Sequence, residues 1–218
     1  MTAAKPLLYG VSLSPFVRKV RAVLAIKQIE YDLSPVMPGA MDASFRAKSP
    51  LSKVPVWEEE GWTLPDSSVI CAYLERRWPT PSVYPESPRA FATALFWEEY
   101  ADTRLVESGG PIFFQRVVHG RIFRRPVDED LVRRHLEEVL PPVLDQLESL
   151  FVGRDEPDAA CPGIAEISVW SVFVNLAHAG ETVDTARWPG LAAFLEEMND
   201  RPLLHSLVEE ERASLAAH

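Results

Sequence analysis

Four prolines, Pro79, Pro81, Pro85 and Pro88, fall between Trp78 and Pro88 in a stretch with little hydrophobic periodicity. Proline fixes its own backbone angle, lacks an amide proton and biases its neighbour toward extended conformations, so neither helix nor sheet runs through such a stretch. It reads as a linker that divides the chain into residues 1–80 and 89–218.

The two sides differ in kind. Before the linker, Pro6–Val11 and Ile29–Leu33 are short apolar segments of strand length, and Val17, Val20, Val23 and Leu24 between them recur at helical spacing. A stretch rich in Pro, Gly and Ser follows and reads as irregular. Val54–Glu58 and Thr63-Leu64 then form a strand pair, and Ser67–Arg77 a helix. The order is strand, helix, strand, loop, hairpin, helix, with no glycine-rich phosphate loop after the first strand. After the linker every periodic segment is helical. Arg89 to Gly109 is expected to break or bend at Gly109-Gly110-Pro111. Asp128 to Phe151 meets a kink or a joint at Pro141-Pro142. The nearly all-apolar Gly163–Ala179 is the expected central buried helix. The run Glu209-Glu210-Glu211 reads as a solvated face. The resulting class is an α/β domain followed by an all-α domain.

Composition narrows the partners. The net charge of -10 opposes nucleic-acid binding, which needs a basic face. No long apolar run suggests a membrane span, and the start Met1-Thr2-Ala3-Ala4 lacks the apolar core of a signal peptide, so a cytoplasmic location is expected. Cys71 and Cys161 lack a paired spacing, and the five histidines lack metal-ligand spacing, so no metal is expected.

Three local motifs carry chemistry. Ser14-Pro15 stands where the first strand gives way to a helix, so Ser14 is an N-cap whose hydroxyl can also hold a thiolate. Val54-Pro55 opens a strand, and a cis bond there would turn the Val54 amide and carbonyl outward, free to pair with an extended peptide. Asp66-Ser67-Ser68 opens the next helix, whose N-terminus suits a carboxylate while Asp66 accepts an ammonium. Each motif is also explained by plain capping or by an edge-strand proline.

In this order, with the proline-rich linker and helical half behind them, the motifs resemble the cytosolic glutathione S-transferase family over the whole chain. The run Ser14-Pro15-Phe16-Val17-Arg18-Lys19-Val20 looks most like its serine-type classes, tau-like or a related bacterial class. The resemblance implies a thioredoxin-like glutathione-binding domain over 1–80 and a helical domain over 89–218 that forms the pocket for an electrophile. It implies glutathione as co-substrate and a symmetric homodimer. Carried over, Ser14 is the catalytic hydroxyl, with Ser12 the alternative. Phe16, Lys53, Val54, Pro55, Asp66 and Ser67 bind glutathione, and Phe113, Phe114 and Arg116 line the electrophile pocket. The basic group Arg116, Arg121, Arg124 and Arg125, with His119 among it, fits an anionic second substrate, and equally an exposed face or dimer contacts. The implied activity is transfer of glutathione to a small hydrophobic or anionic electrophile, with peroxide reduction as a side activity; the alternative is a non-catalytic ligand carrier or interaction protein on the same fold. Two departures stand out. Gly163 replaces the usual Ser or Thr of the capping box, leaving Glu166 to reach back to the cap amide. The Ser-Ser-Cys signature of maleylacetoacetate isomerases is missing between Val11 and Ser14.

Overall fold

A computed structural model describes residues 5–37, 41–152 and 161–217 and separates the chain into two units, Met1–Tyr84 and Pro85–His218. Met1 to Ala4, on which the reading of the chain start rests, lie outside the described residues.

The first unit holds β1 (Leu7–Tyr9), α1 (Pro15–Ile26), β2 (Asp32–Ser34), α2 (Ala43–Lys48), β3 (Val56–Glu59), β4 (Trp62–Pro65) and α3 (Ser67–Arg77). The sheet order is β2-β1-β3-β4, with β1 parallel to β2 and antiparallel to β3, and β3 antiparallel to β4. Alternation along β1 sets the layers. Leu8 is fully buried, in a core with Val20, Val23 and Leu24 of α1 and Ile70 and Leu74 of α3, and α1 packs against α3. Tyr9 instead packs edge-on against Phe45 of α2, ring centres 6.0 Å apart, in a cluster with Met41 and Val56.

Two expectations shift here. The second strand is Asp32–Ser34 rather than Ile29–Leu33, because pairing with Leu7–Tyr9 sets its extent and α1 ends in a turn with Gln28 at positive φ. The stretch read as irregular contains α2, capped by Asp42 accepting from the Phe45 amide at 2.8 Å and anchored by buried Phe45.

The second unit is helical throughout its regular structure. α4 (Pro88–Tyr100) and α5 (Val106–Phe113) join through wider π-type turns at Ala101–Leu105, and a further such segment runs Phe114–Ile122. The expected break at Gly109-Gly110-Pro111 does not occur. α5 packs on α8 (Ile164–His178), and a Cβ on Gly109 would stand 3.3 Å from Leu176 Cδ2, so the glycine serves close approach. Burial of Ile112 and Phe113 outweighs the roughly 1 kcal/mol propensity cost of glycine and about 3 kcal/mol of proline. At Pro141-Pro142 the structure makes a joint: α6 (Glu129–Arg134) and its continuation His135–Val139 stop before Leu140, and α7 (Pro141–Gln146) starts with proline at its first position and continues through Leu147–Phe151. α8 is the buried central helix, entered from Gly163 without a side-chain cap.

α9 (Pro189–Asp200) and α10 (Pro202–Ala216) close the unit. Glu211 corrects the reading of its acidic run. It is fully buried and lies 2.9 Å from His178 Nε2, because it shares a helical face with Leu204, Leu207, Val208 and Leu215. Among the described residues no helix is long and apolar enough to cross a membrane.

Candidate functional site

Ser14 caps α1 in an extended conformation (φ -73°, ψ 127°), and its hydroxyl oxygen accepts from the Val17 amide at 3.5 Å. That length is the outer limit of a hydrogen bond, and the bond uses an oxygen lone pair, so the hydroxyl proton stays available to an incoming acceptor. Ser12 is likewise half-buried in the turn that leads into α1. Tyr9, earlier on the strand, donates its hydroxyl proton to Glu58 at 2.9 Å and accepts from Lys48 at 3.0 Å. The Glu58 hydrogen bond, then that of Tyr9, raises the Lys48 pKa, and Lys48 in turn lowers that of Glu58.

Gly10 explains how the first two motifs come together. Its φ is +151°, and a Cβ there would stand 2.5 Å from Val17 Cγ2 and 3.3 Å from Val54 Cβ. The end of β1, the first turn of α1 and the Val54 loop therefore meet at the one residue without a side chain.

The Val54-Pro55 peptide is cis. Among the described residues, neither the amide nor the carbonyl of Val54 joins a backbone hydrogen bond, so both remain open to an extended ligand. Buried Ser49 holds the loop before it by donating to the Lys53 carbonyl at 2.8 Å and accepting from the Lys53 amide at 3.1 Å. Lys53 itself is exposed.

Asp66 ties the third motif to the second, since its amide donates to the Pro55 carbonyl at 3.4 Å. It caps α3 at a φ of +83°, with Oδ1 accepting from the Ser68 and Val69 amides at 3.0 and 3.3 Å. A non-glycine residue held there is strained by on the order of 1–3 kcal/mol, and such positions cluster at ligand-binding sites. Asp66 is exposed and Ser67 buried. Fully buried Lys19 of α1 donates to Ser68 Oγ at 3.0 Å, which ties the Ser14 helix to the Asp66 helix and adds positive charge at an N-terminus already favourable to anions. Phe16 sits half-buried in the first turn of α1.

The structure thus brings the three motifs of the first unit to adjoining turns. Gly10 and Lys19 join them and Ser49 holds the Lys53 loop, yet in the sequence their only local signal is a glycine directly after a strand. In the second unit Phe113 is buried, while exposed Phe114 packs at a tilt against His119 with ring centres 4.7 Å apart. Arg116 pairs with Glu181 and, at 3.7 Å, with Glu129, and donates to the Ala179 carbonyl at 3.4 Å, so it would meet a ligand already flanked by two carboxylates rather than as a bare cation. Among the described residues no group of three or more His, Cys, Asp or Glu is arranged to hold a metal ion.

Residues 8–82 match the family model described as glutathione S-transferase, N-terminal domain. The chain is 26% identical over 223 aligned residues to the probable glutathione S-transferase GSTU6 of Oryza sativa subsp. japonica, covering 95% of this chain and 90% of that protein. Over 92 residues it is 39% identical to the probable maleylacetoacetate isomerase 1 of Drosophila melanogaster, covering 39% of this chain and 37% of that one. Among solved structures, a glutathione S-transferase from Rhodospirillum rubrum F11 superposes with a TM-score of 0.81 at 25% identity, covering 93% of this chain and 91% of that one. In its fold, in its matching N-terminal domain and in an alignment along nearly its whole length, the chain is similar to cytosolic-type glutathione S-transferases.

Proposed function

We propose that this protein is a glutathione transferase in which Ser14 holds the glutathione sulfur as a thiolate, Ser12 being the alternative donor. The observation that carries the reading is the open backbone of Val54 beside Pro55, whose carbonyl binds Asp66, the cap of α3. An extended peptide pairing with Val54 would have one end at the α3 N-terminus, where amides suit a carboxylate and the free oxygen of Asp66 suits an ammonium. That end is the γ-glutamyl unit, held by Asp66 and Ser67. The cysteinyl unit pairs with Val54 and Pro55, the glycyl carboxylate meets exposed Lys53, and Phe16 packs at the start of α1.

A free thiol titrates near ~8.5, and lowering that value by about two units stabilises the thiolate by roughly 2.7 kcal/mol. A charge-assisted hydrogen bond from Ser14 contributes about 1.5–3 kcal/mol, and the α1 N-terminus adds to it. The thiol proton leaves to solvent. The sulfur lone pair then forms the new bond to an electrophilic centre, and the electrophile's leaving group departs, or its π bond takes up the pair and a proton. Ser14 donates throughout and forms no covalent bond. No cysteine stands at position 12 or 14 to form a mixed disulfide, which favours transfer over disulfide reduction. Phe113, Phe114 and Arg116 complete the reading as the pocket for a hydrophobic or anionic electrophile, and peroxide is a candidate second acceptor.

The serine-type, tau-like subclass, cytoplasmic location and symmetric homodimer belong to the same reading. The dimer is supported by exposed apolar side chains, Trp62 and Val69 in the first unit and Phe91 and Phe96 on α4. Sedimentation showing only a 24.5 kDa species at micromolar concentration would count against it.

The direct test is ultraviolet thiolate absorbance on adding glutathione near neutral pH. The expected result is a rise in the wild type that is lost in Ser14→Ala and kept in Ser12→Ala. No rise in the wild type, with binding still seen by calorimetry, would instead identify a carrier. An unchanged rise in Ser14→Ala would overturn the role of Ser14.

A further inference from the structure

The second unit contains a cavity of about 550 Å³, within the range of small-molecule sites. Its interior is apolar, with Leu140, Leu144, Trp170, Phe173 and Val208 among its walls. Two tryptophans border it, and both are held in place by their indole N–H groups: Trp170 donates to Asn199 at 2.9 Å and Trp188 to Asp145 at 2.7 Å. The hydrophobic shape is therefore set without a ligand.

The charges around it do not cancel. His178 pairs with Glu211, Glu181 with Arg116, and Arg212 with Glu209. Asp184, Glu196 and Asp200 also line the cavity, all three are exposed, and among the described residues none forms an ion pair. Glu196 and Asp200 stand one turn apart on α9, so their charges add over the same opening. An apolar interior with indole walls and an uncompensated negative mouth selects against anions. It suits a ligand with an apolar body and a cationic head, for which the carboxylates supply Coulomb attraction.

We propose that this cavity is a binding site for a small amphiphilic cation, an aromatic or aliphatic body carrying one ammonium group. It takes a ligand class different from glutathione and from the hydrophobic or anionic electrophile proposed above. It does not depend on that reading.

The test is calorimetric titration of the full chain with phenylbutyl-trimethylammonium, and with phenylvalerate as the anionic counterpart. The expected result is saturable binding of the cation at about tenfold or greater preference, weakening as salt is raised. The double variant Glu196→Gln, Asp200→Asn, which changes only exposed side chains, is expected to lose about tenfold in cation affinity and most of that preference. Ala192→Trp, which places an indole in the cavity wall, is expected to abolish binding of either probe. Equal affinity for the two probes, cation binding unchanged in the double variant, or no saturable cation binding would each overturn the proposal. The double variant keeps the test decisive if Ala192→Trp fails to fold.

Discussion

Lys27→Met should destabilise the protein by about 3 kcal/mol. The Lys27 side chain is fully buried and its ammonium has three partners: the Trp78 carbonyl at 2.7 Å, the Pro81 carbonyl at 2.8 Å and Glu75 Oε2 at 2.8 Å. These use all three of its protons. The proline-rich segment after α3 is thereby fastened to the end of α1, and Glu75 adds to the clasp by accepting from Ser82 Oγ at 2.6 Å and the Val83 amide at 3.2 Å. Methionine reaches as far as the lysine Cε and lacks only the terminal nitrogen, so little cavity forms and the loss is mainly polar. Breaking a buried ion pair costs about 3–5 kcal/mol, because the remaining charge stays desolvated. The Glu75 side chain is 16% exposed and keeps two other donors, which places the expected loss at the lower end of that range. Glu75→Gln in the Lys27→Met background removes the stranded charge and should restore about 1–2 kcal/mol. Urea denaturation followed by tryptophan fluorescence measures both changes, and hydrogen exchange at the Val83 amide reports the clasp locally. A loss below about 1 kcal/mol in Lys27→Met, with Val83 protection unchanged, would refute the argument that this ammonium holds the segment.

Gly10→Ala places a Cβ 2.5 Å from Val17 Cγ2 at a φ of +151°, whereas Gly61→Ala at φ +80° meets nothing within 4 Å. The first should cost about 2–3 kcal/mol and weaken glutathione binding, the second only about 1 kcal/mol; equal losses in urea midpoint would contradict the proposed close approach. Burial, and then the hydrogen bond to Glu59, raises the Tyr73 pKa from 10.0 to about 12. The unfolded chain gives up this proton first as pH rises, so the contribution of Tyr73 to stability is complete below pH 10 and declines through about 12. Tyr73→Phe should flatten the alkaline fall in stability over that window, and an unchanged slope would remove Tyr73 as its source.

The fold class was legible because its signals are local. α1 and α3 begin where Ser14-Pro15 and Asp66-Ser67 place a cap and a first helical residue, chemistry complete within four or five positions. β2 was displaced because a short apolar run fixes neither end of a strand; the partner does, and Leu7–Tyr9 lies far away in sequence. α2 escaped notice because one buried aromatic, Phe45, stabilises a six-residue helix amid turn-forming residues. Helix breakers misled for the converse reason: Gly109 and Pro111 are unfavourable locally, but the packing against Leu176 that outweighs them is invisible in a window of sequence. The same division runs through the site. Ser14, Val54-Pro55 and Asp66 were found as caps and as a strand-opening proline, whereas Gly10, Ser49 and Lys19 act through space.

Charge and periodicity gave opposite readings at Glu211, and the structure shows which one governs. Three glutamates in succession suggest a face turned to water, yet a helix cannot turn three successive side chains in one direction. With Leu204, Leu207, Val208 and Leu215 setting the buried stripe, Glu211 falls within it and Glu209 and Glu210 fall outside. An inward carboxylate needs a partner, and His178, from the buried, largely apolar α8, supplies one. Lys27 follows the same logic at the end of α1, where it is held by two carbonyls and Glu75. Helical phase therefore decides where a charged residue goes, and its burial then requires a counter-group elsewhere in the chain. Applied forward, an ionisable residue in phase with an apolar stripe points to a complementary group on a neighbouring element, while Glu196 and Asp200, exposed and without ion-pair partners among the described residues, leave their charge available to a ligand.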